Sequence, residues 1–194
     1  MKIEVLSKGL FSLIIDNGRV GQQRDGFCES GPMDSNAYDW ANFLAFNLDD
    51  TPCIEAIGEV RLKVDEDCVI AVTGRESTLS VDGSVREVYR SQTIPAGSTI
   101  TFGSTLLGSK AYLAIGGNWQ VPKVVGSAST VVREQLGGLD GKGSALKDSD
   151  CFEVLANSRI QNNAKMRSLP TNHIDDYGFL EAVSYTHLTL PTIG

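Results

Sequence analysis

Apolar and polar residues alternate along much of the chain in short blocks separated by turn residues. Residues 60–64 (Val-Arg-Leu-Lys-Val) alternate with a period of two, which predicts a strand with one buried and one solvent-facing side. Residues 68–73 are apolar almost throughout and predict a central strand. Further strands are predicted at residues 3–6, 11–15, 53–57, 78–81, 85–89, 93–102 (around a turn at 95–97), 110–115 and 152–155. Turns spaced by about eight to twelve residues favour a closed barrel or a sandwich of short strands.

One segment, residues 30–47, has a helical period instead. Its apolar residues recur at i, i+3, i+4, i+7 and i+8 and form one face: Ala37, Trp40, Ala41, Leu44 and Ala45. Asp34 or Ser35 is the predicted N-cap, because a short side-chain oxygen there accepts a backbone N–H of the first turn. The pattern leaves two hypotheses open: the helix closes one end of the β structure, or it supports a functional site.

The chain is predicted to contain three parts. Residues 1–156 form a mainly β unit with one short helix, and residues 157–182 form a linker and the start of a truncated second β unit. Residues 183–194 resemble the translated end of a sequencing adapter, so we expect them to be non-native and to take no part in the fold.

Charge and composition narrow the functional classes. The chain has 24 acidic and 17 basic residues among 194, a net charge of −7, and no cluster of Lys and Arg. Nucleic acid is therefore not an expected partner, because phosphates need basic groups to neutralise them. No apolar run approaches the roughly 18–20 residues of a membrane span, so no membrane association is expected. The N-terminal residues alternate like a strand and lack the apolar core of a signal peptide, which predicts a cytoplasmic protein.

The few cysteines and histidines argue against a metal site, a disulfide framework and a histidine-assisted nucleophile. The four cysteines are widely spaced without a Cys-x-x-Cys pair, which predicts buried free thiols, no metal site and no disulfide framework. Only two histidines are present, His173 and His187, and both lie near the C-terminus. A Ser-His-Asp or Cys-His mechanism is therefore not favoured.

Two segments are candidate anion-binding elements. Arg19 follows an Asn-Gly turn and can offer a bidentate fork to a carboxylate or phosphate, or it can bind a backbone carbonyl as a turn residue. Residues 126–130 (Gly-Ser-Ala-Ser-Thr) can form a backbone nest, with hydroxyls from Ser127, Ser129 and Thr130. The alternative is a structural Ser/Thr turn. The segment lacks the Gly-Lys-Ser/Thr ending of a P-loop.

Two carboxylates are the candidate catalytic residues. Asp34 and Glu55 can each act as a base or orient a substrate amide, and Asp34 is equally well explained as the helix cap. Thr73 and Gly74 follow a buried strand, where the backbone can approach a ligand or simply turn a corner.

An ordered set of short motifs resembles a known family. The set is Asp16-Asn-Gly-Arg19, Ser30-Gly-Pro-Met-Asp34, Ala41-Asn42, Asn47, Glu55, Thr73-Gly74, Ala111-Tyr-Leu-Ala-Ile-Gly-Gly117 and Gly126-Ser-Ala-Ser-Thr130. It is similar to the allophanate hydrolase subunit 2 family, also called the biotin-dependent carboxyltransferase family. This family includes the KipI antagonists and the C-type subunit of the bacterial 5-oxoprolinase. The resemblance runs over about residues 2–155, and full members are longer, so the chain resembles an N-terminal part.

The resemblance implies a fold, partners and an activity. Family members have cyclophilin-like β-barrel units and work beside a subunit-1 (KipI-like) partner, and in 5-oxoprolinase also beside a LamB/YcsF-type subunit. That assembly hydrolyses ATP to open a small amide substrate, 5-oxo-L-proline, to L-glutamate. The alternatives are a urea/allophanate-pathway carboxyltransferase domain that uses biotin, and a non-catalytic regulator that binds KipI. The expected role is thus an ATP-dependent amidohydrolase subunit, inactive as an isolated fragment. Arg75 and Lys142 depart from the family pattern near loops that could face a ligand.

Overall fold

The computed structural model of the protein describes residues 1–155 and 166–169, which contain two sheets, one α-helix and one short 3-10 helix at Gln22–Asp25. The α-helix, α1, spans Ser35–Leu44. The strands are β1 (Lys2–Ser7), β2 (Phe11–Ile15), β3 (Cys53–Ile57), β4 (Val60–Val64), β5 (Cys68–Thr73), β6 (Ser77–Val81), β7 (Ser84–Arg86), β8 (Gln92–Ile94), β9 (Thr99–Ser104), β10 (Lys110–Ile115), β11 (Asn118–Trp119) and β12 (Cys151–Leu155).

All paired strands in the described residues are antiparallel. One sheet has seven strands in the order β11-β12-β1-β4-β9-β6-β7, and the other has five in the order β2-β3-β10-β5-β8. The predicted mainly β fold with one short helix is confirmed. Within the described residues the strands form two sheets, and their hydrogen-bonded ladders do not join into one closed barrel.

One core lies between the two sheets. The seven-stranded sheet contributes inward residues such as Ile3, Leu62 and Phe102, and the five-stranded sheet contributes Ile54 and Leu113. Alternation along each strand places these side chains on one face, as the period of two in residues 60–64 predicts.

The helix covers the outer face of the five-stranded sheet. Ala37, Tyr38, Ala41 and Leu44 pack against sheet residues that alternate away from the main core: Ile15, Cys53, Ala71, Tyr112 and Ala114. The five-stranded sheet is therefore buried on both faces where the helix lies, which explains why β5 is apolar almost throughout. Beyond the helix N-terminus, the same face carries Lys110 and is only partly covered.

The cysteine prediction is correct for two of the four thiols. All four cysteines are free; Cys53 and Cys68 are buried, Cys28 is half-buried in a loop, and Cys151 is exposed. Cys151 lies at an outward position of β12, whose residues alternate between exposed and buried.

The predicted boundaries beyond residue 155 fall mostly outside the described residues. The linker and second unit at 157–182 are represented by residues 166–169 alone, and the tail at 183–194 is not described. In the described part of the chain, no helix is long and apolar enough to cross a membrane.

Candidate functional site

All the residues singled out from the sequence except Thr73 and Gly74 lie in two hydrogen-bonded groups. The Asp16 cluster comprises Asp16, Arg19, Ser127, Ser129 and Thr130, and it lies at β2, the edge strand of the five-stranded sheet. The Glu55 cluster comprises Asp34, Glu55, Lys110 and Tyr112, and it lies at the N-terminal end of α1 on the outer face of the five-stranded sheet.

The Asp16 cluster is centred on a buried carboxylate. Asp16 Oδ1 accepts hydrogen bonds from the hydroxyls of Ser127 and Ser129 and from Gly18 N, and Oδ2 accepts from Ala128 N at 2.7 Å. The turn that follows β2 requires glycine at position 18, where φ is +84° and a Cβ would overlap the backbone oxygens of Glu29 and Ser30. The carboxylate thus joins this turn to the loop at 126–130.

Arg19 is buried and is bonded to backbone oxygens of the same loop. Its Nε donates to Val124 O at 3.1 Å, and Nη2 donates to Ser129 O at 2.9 Å and, more weakly, to Ser127 O at 3.5 Å. Nη1 is buried and has no partner among the described residues. In this structure Arg19 is therefore a turn residue whose guanidinium is bonded to backbone carbonyls, which is the second of the two predicted alternatives.

The hydroxyls of the loop are used within the chain as well. Ser127 and Ser129 donate to Asp16, and Thr130 Oγ1 donates to Ile14 O at 2.8 Å. Each hydroxyl has one proton, so none of the three is left to donate to an anion in this arrangement. The cluster, as the structure has it, holds the loop at 126–130 against the edge of β2.

The Glu55 cluster is assembled by strand register. Glu55 in β3 is paired with Tyr112 in β10, and Tyr112 is paired with Thr73 in β5. Lys110 lies two residues before Tyr112 and therefore on the same face of the sheet. The register thus brings a carboxylate, an ammonium and a phenol together, beside Thr73, on the sheet face that the helix covers.

Glu55 is buried and fully hydrogen-bonded. Lys110 Nζ forms an ion pair with Oε1, while Oε2 accepts from Tyr112 OH at 2.8 Å and from Met33 N at 3.0 Å. The Lys110 side chain is 21% exposed, against 4% for Glu55, so the ammonium is the charged group of this pair that faces solvent.

Asp34 is the N-cap of α1, and it is joined to the Glu55 cluster through its backbone. Oδ1 accepts from Ala37 N at 3.0 Å, which confirms the predicted cap, and Asp34 N donates to Tyr112 OH at 2.8 Å. Oδ2 has no donor among the described residues. The cap and a role in the site are therefore compatible, because they use different oxygens.

Burial sets the protonation state of Tyr112. Desolvation raises the pKa of Tyr112 far above its usual value, and the neighbouring Glu55 carboxylate raises it further. The phenol therefore stays protonated at neutral pH and donates to Glu55.

Thr73 and Gly74 lie beside this cluster but are bonded within the fold. Thr73 Oγ1 donates to Ala37 O at 2.6 Å, and Gly74 N donates to Tyr89 OH at 3.0 Å. A Cβ at Gly74 would overlap the carbonyl oxygen of Lys110, so glycine permits the close approach of β5 and β10. In this structure Gly74 brings two strands together.

Lys110, Tyr112 and Asp16 are not among the predicted site residues. A signal for Lys110 and Tyr112 is present in the sequence, because both are polar positions within an apolar strand, as Glu55 is in β3. Asp16 lies outside the strands and has no such signal. In the described part of the chain, no group of three or more His, Cys, Asp or Glu side chains is placed to hold a metal ion.

Comparison with known families identifies a carboxyltransferase domain. The family model of the carboxyltransferase domain, subdomain A and B, matches residues 25–188. Urea amidolyase of Saccharomyces cerevisiae is 34% identical over 172 residues, and the C-type subunit of 5-oxoprolinase of Escherichia coli is 30% identical over 166 residues. The corresponding 5-oxoprolinase subunit of Haemophilus influenzae is 30% identical over 173 residues.

Solved structures agree with this assignment. The crystal structure of Kluyveromyces lactis urea amidolyase superposes with a TM-score of 0.73 at 31% identity, over 79% of this chain and 9% of that chain. The crystal structure of TTHA0988 superposes with a TM-score of 0.75 at 27% identity, over 88% of this chain and 61% of that chain.

The alignments cover most of this chain but a smaller share of each curated relative. They include 88%, 84% and 89% of this chain, but 9% of the yeast urea amidolyase and 52% and 55% of the two 5-oxoprolinase subunits. The resemblance drawn from the sequence motifs is therefore confirmed: the chain belongs to the carboxyltransferase domain family, subdomain A and B, together with urea amidolyase and the C-type subunit of 5-oxoprolinase.

Proposed function

We propose that this chain acts as part of a C-type 5-oxoprolinase subunit, in a multi-subunit assembly that opens 5-oxo-L-proline to L-glutamate with ATP hydrolysis. Two relatives are named as this subunit of 5-oxoprolinase, and the chain spans about half of their length. The proposed partners are a subunit-1 (KipI-like) protein and a LamB/YcsF-type subunit. The chain alone is expected to be inactive.

The observation that carries the proposal is the Glu55 cluster. It presents the Lys110 ammonium on a sheet face that is partly open, and Asp34 adds a carboxylate oxygen that no described group occupies. An ammonium donor and a carboxylate acceptor in one hydrogen-bonded cluster suit a neutral amide, which has both a carbonyl oxygen and an N–H. The lactam of 5-oxo-L-proline is such an amide.

The two predicted catalytic carboxylates are proposed to have different roles. Both oxygens of Glu55 are occupied by Lys110, Tyr112 and Met33, so Glu55 holds the ammonium in place rather than taking a proton. Asp34 keeps one carboxylate oxygen for a substrate N–H.

ATP, the cofactor of the proposed assembly, does not fit the Asp16 cluster as it stands. The hydroxyls of Ser127, Ser129 and Thr130 are donated within the chain, and Arg19 donates to three carbonyls. No phosphate contact is assigned to these residues, and the partner subunits are proposed to bind the nucleotide.

The second candidate function is carboxyl transfer to urea with biotin. It is favoured by the 34% identity to a protein named urea amidolyase. Urea and the ureido ring of biotin also combine a carbonyl with N–H groups, so the Glu55 cluster suits both substrate classes. A regulator that binds KipI without turnover is the third alternative.

The test is 5-oxo-L-proline-dependent ATP hydrolysis in a mixture of this protein, in its full-length form, with its subunit-1 and LamB/YcsF-type partners. Hydrolysis in the complete mixture, and none when any component is omitted, is the expected result. No hydrolysis from the complete mixture would overturn the proposal. Urea-dependent ATP hydrolysis with a biotinylated partner would instead select the carboxyltransferase role, and binding of the subunit-1 partner without any turnover would select the regulator.

A further inference from the structure

A groove with a volume of about 600 Å³ opens where β7 separates from β6. β7 pairs with β6 only as far as Arg86, which is opposite Leu79. The chain then crosses to the five-stranded sheet, where Tyr89 N donates to Val72 O at 2.8 Å. Among the described residues, the start of β6 at residues 77–78 therefore has no strand partner on this side. This leaves room for a further segment of chain.

Apolar side chains form much of the groove wall: Leu79, Val85, Val88 and Leu169. Val85 is 88% exposed, and it lies in β7, an edge strand of the seven-stranded sheet. An apolar side chain on an open sheet edge favours pairing with another segment, because the edge also presents unpaired backbone groups. The groove is as large as typical ligand sites, so it has room for several side chains.

The rim of the groove carries a positive charge. Arg86 and Arg90 lie on it, together with Glu87. Arg90 Nη1 donates to Glu87 Oε2 at 2.7 Å, and Arg86 has no ion pair among the described residues. Two guanidiniums and one carboxylate leave one positive charge on the rim, in a chain whose net charge is −7. An acidic segment is therefore the complementary partner.

The described chain runs into this groove at Leu169. Leu169 N donates to Tyr89 O at 3.1 Å, and Ser168 forms an antiparallel bridge with Arg90. In an antiparallel pair, each later residue of one strand lies opposite an earlier residue of the other. The same register therefore directs the chain after Leu169 past residues 88, 87 and 86, which line the groove.

We infer that the groove is the docking site for residues 170–177 of the same chain, which follow Leu169 and lie outside the described residues. Pro170 has no N–H to donate to Val88 O, so side chains rather than a continued ladder hold this segment. The inference is independent of the proposed function. It assigns how the first β unit holds the part of the chain that follows it.

Residues 170–177 (Pro-Thr-Asn-His-Ile-Asp-Asp-Tyr) complement the groove in two respects. Ile174 and Tyr177 supply apolar side chains for the wall that Val85 leaves exposed. Asp175 and Asp176 supply two carboxylates for the positive rim. Burial of the apolar side chains provides the attraction, and the charges select the acidic segment.

The first test uses the unaltered 194-residue chain with ¹³C-labelled methyl groups of Ile, Leu and Val. We expect nuclear Overhauser contacts between the δ1 methyl of Ile174 and the methyls of Val85 and Val88. Absence of these contacts, or contacts of Ile174 with another part of the fold, would overturn the inference. In a mixture of labelled and unlabelled chains, contacts found only between different chains would place a second copy in the groove, which would also overturn it.

The second test measures chymotrypsin cleavage after Tyr177 by mass spectrometry, because docking should protect this bond. Arg86→Glu reverses a charge on the rim and is expected to speed cleavage about two- to fivefold, which corresponds to the loss of an exposed ion pair. Arg86 is exposed, so the variant should keep the fold, and its circular dichroism spectrum checks this. Arg61→Glu, at an exposed position of β4, is the matched control and should leave the rate unchanged.

Charge reversal on the segment completes the second test. Asp175→Lys/Asp176→Lys should also speed cleavage after Tyr177, and adding Arg86→Glu to it should bring the rate back toward that of the parent. Such a return requires that the segment and the rim interact directly. Equal cleavage rates for Arg86→Glu, Arg61→Glu and the parent would overturn the inference.

Discussion

Ser129 Oγ donates to the Asp16 carboxylate at 2.7 Å, although the two residues are separated by 113 positions in the chain. Asp16 N donates back to Ser129 Oγ at 2.9 Å, so side chain and backbone both join the pair. Both residues are buried. Because a buried carboxylate must keep its donors, this pair fixes the loop at 126–130 to the end of β2.

Substitution of Ser129 tests this role. Ser129→Ala is expected to lower the free energy of unfolding by about 1–3 kcal/mol, because it leaves the buried Asp16 carboxylate with one donor fewer. Urea unfolding followed by circular dichroism gives the value. Ser84→Ala, at an exposed position of β7, is the control and should change stability by less than about 0.5 kcal/mol. Equal effects of the two substitutions would contradict the structural role of Ser129.

Replacement of Arg19 by lysine should lower the stability of the fold. The guanidinium donates from Nε and Nη2 to separate carbonyls, and a single ammonium cannot reproduce that fork. We expect Arg19→Lys to lower the free energy of unfolding by about 2–3 kcal/mol, since buried carbonyls lose their donors. Arg86→Lys in the exposed strand β7 serves as the control in the same urea titrations. An Arg19→Lys protein as stable as the parent would contradict the structural role of Arg19, and binding of inorganic phosphate that the parent shows and Arg19→Lys loses would contradict the absence of a phosphate contact.

The strands and the helix are predictable because their signals are local. The period of two in residues 60–64 and the apolar run at 68–73 report burial directly, and the structure has strands at both places. The helix face is visible for the same reason, although Tyr38, which is buried, lies outside the predicted apolar set. Tyr38 is buried with its hydroxyl donating to Asp49 O and Thr51 O, contacts that the helical period does not reveal.

For the polar clusters, the sequence indicates some of the member residues but not which of them meet. A charged or phenolic residue inside an apolar strand indicates a buried polar contact, and Glu55, Lys110 and Tyr112 are such positions. Which residues meet depends on register, however, and Glu55 and Lys110 are 55 positions apart on strands whose pairing is not encoded locally. Asp16 is not recognisable as the centre of its cluster, because its partners come from a loop more than a hundred residues later.

Alkaline pH should destabilise the protein through its buried tyrosines. The pKa of Tyr112 is raised in the folded state, so the folded protein keeps a proton that the unfolded chain loses above about pH 10. The stabilising contribution of the protonated phenol is therefore retained below pH 10. It is lost as the pH rises, with a slope that approaches about 1.4 kcal/mol per pH unit for each such tyrosine. Desolvation also raises the pKa of Tyr38, so this tyrosine contributes to the same loss of stability at alkaline pH.

Tyr112→Phe isolates the contribution of one tyrosine. The variant should be less stable at pH 7, since Glu55 loses a donor, but between pH 10 and 11 its stability should fall by about 1 kcal/mol less than that of the parent, because the unfolded tyrosine is half ionised at pH 10. Urea unfolding at several pH values gives both slopes, and Tyr38 contributes equally in the two proteins. Parallel slopes would contradict the burial of an unionised phenol at position 112.

Arg167 is expected to hold residues 166–169 against the rest of the fold. Its guanidinium carbon lies 4.2 Å from the ring centroid of Phe43 and 4.3 Å from that of Phe46, and Nη1 donates to Phe43 O in the last turn of α1. The backbone adds two bonds: Ser91 N donates to Arg167 O at 2.9 Å, and Arg167 N donates to Ser91 Oγ at 3.0 Å. A cation at this helix end is favourable, because the last carbonyls of a helix carry partial negative charge.

Replacement of Arg167 separates the side-chain contacts from the backbone ones. Arg167→Ala should lower the free energy of unfolding by about 1–2 kcal/mol, through the loss of the ring contacts and of the bond to Phe43 O. It should also speed hydrogen exchange at the amide of Ser91, since the acceptor of that amide is Arg167 O. Arg167→Lys keeps the charge but not the planar stacking, so an intermediate effect is expected. Arg61→Ala, at an exposed position of β4, is the control. Exchange at Ser91 that is as slow in Arg167→Ala as in the parent would contradict this role of the side chain. The backbone hydrogen bonds alone would then hold residues 166–169 in place.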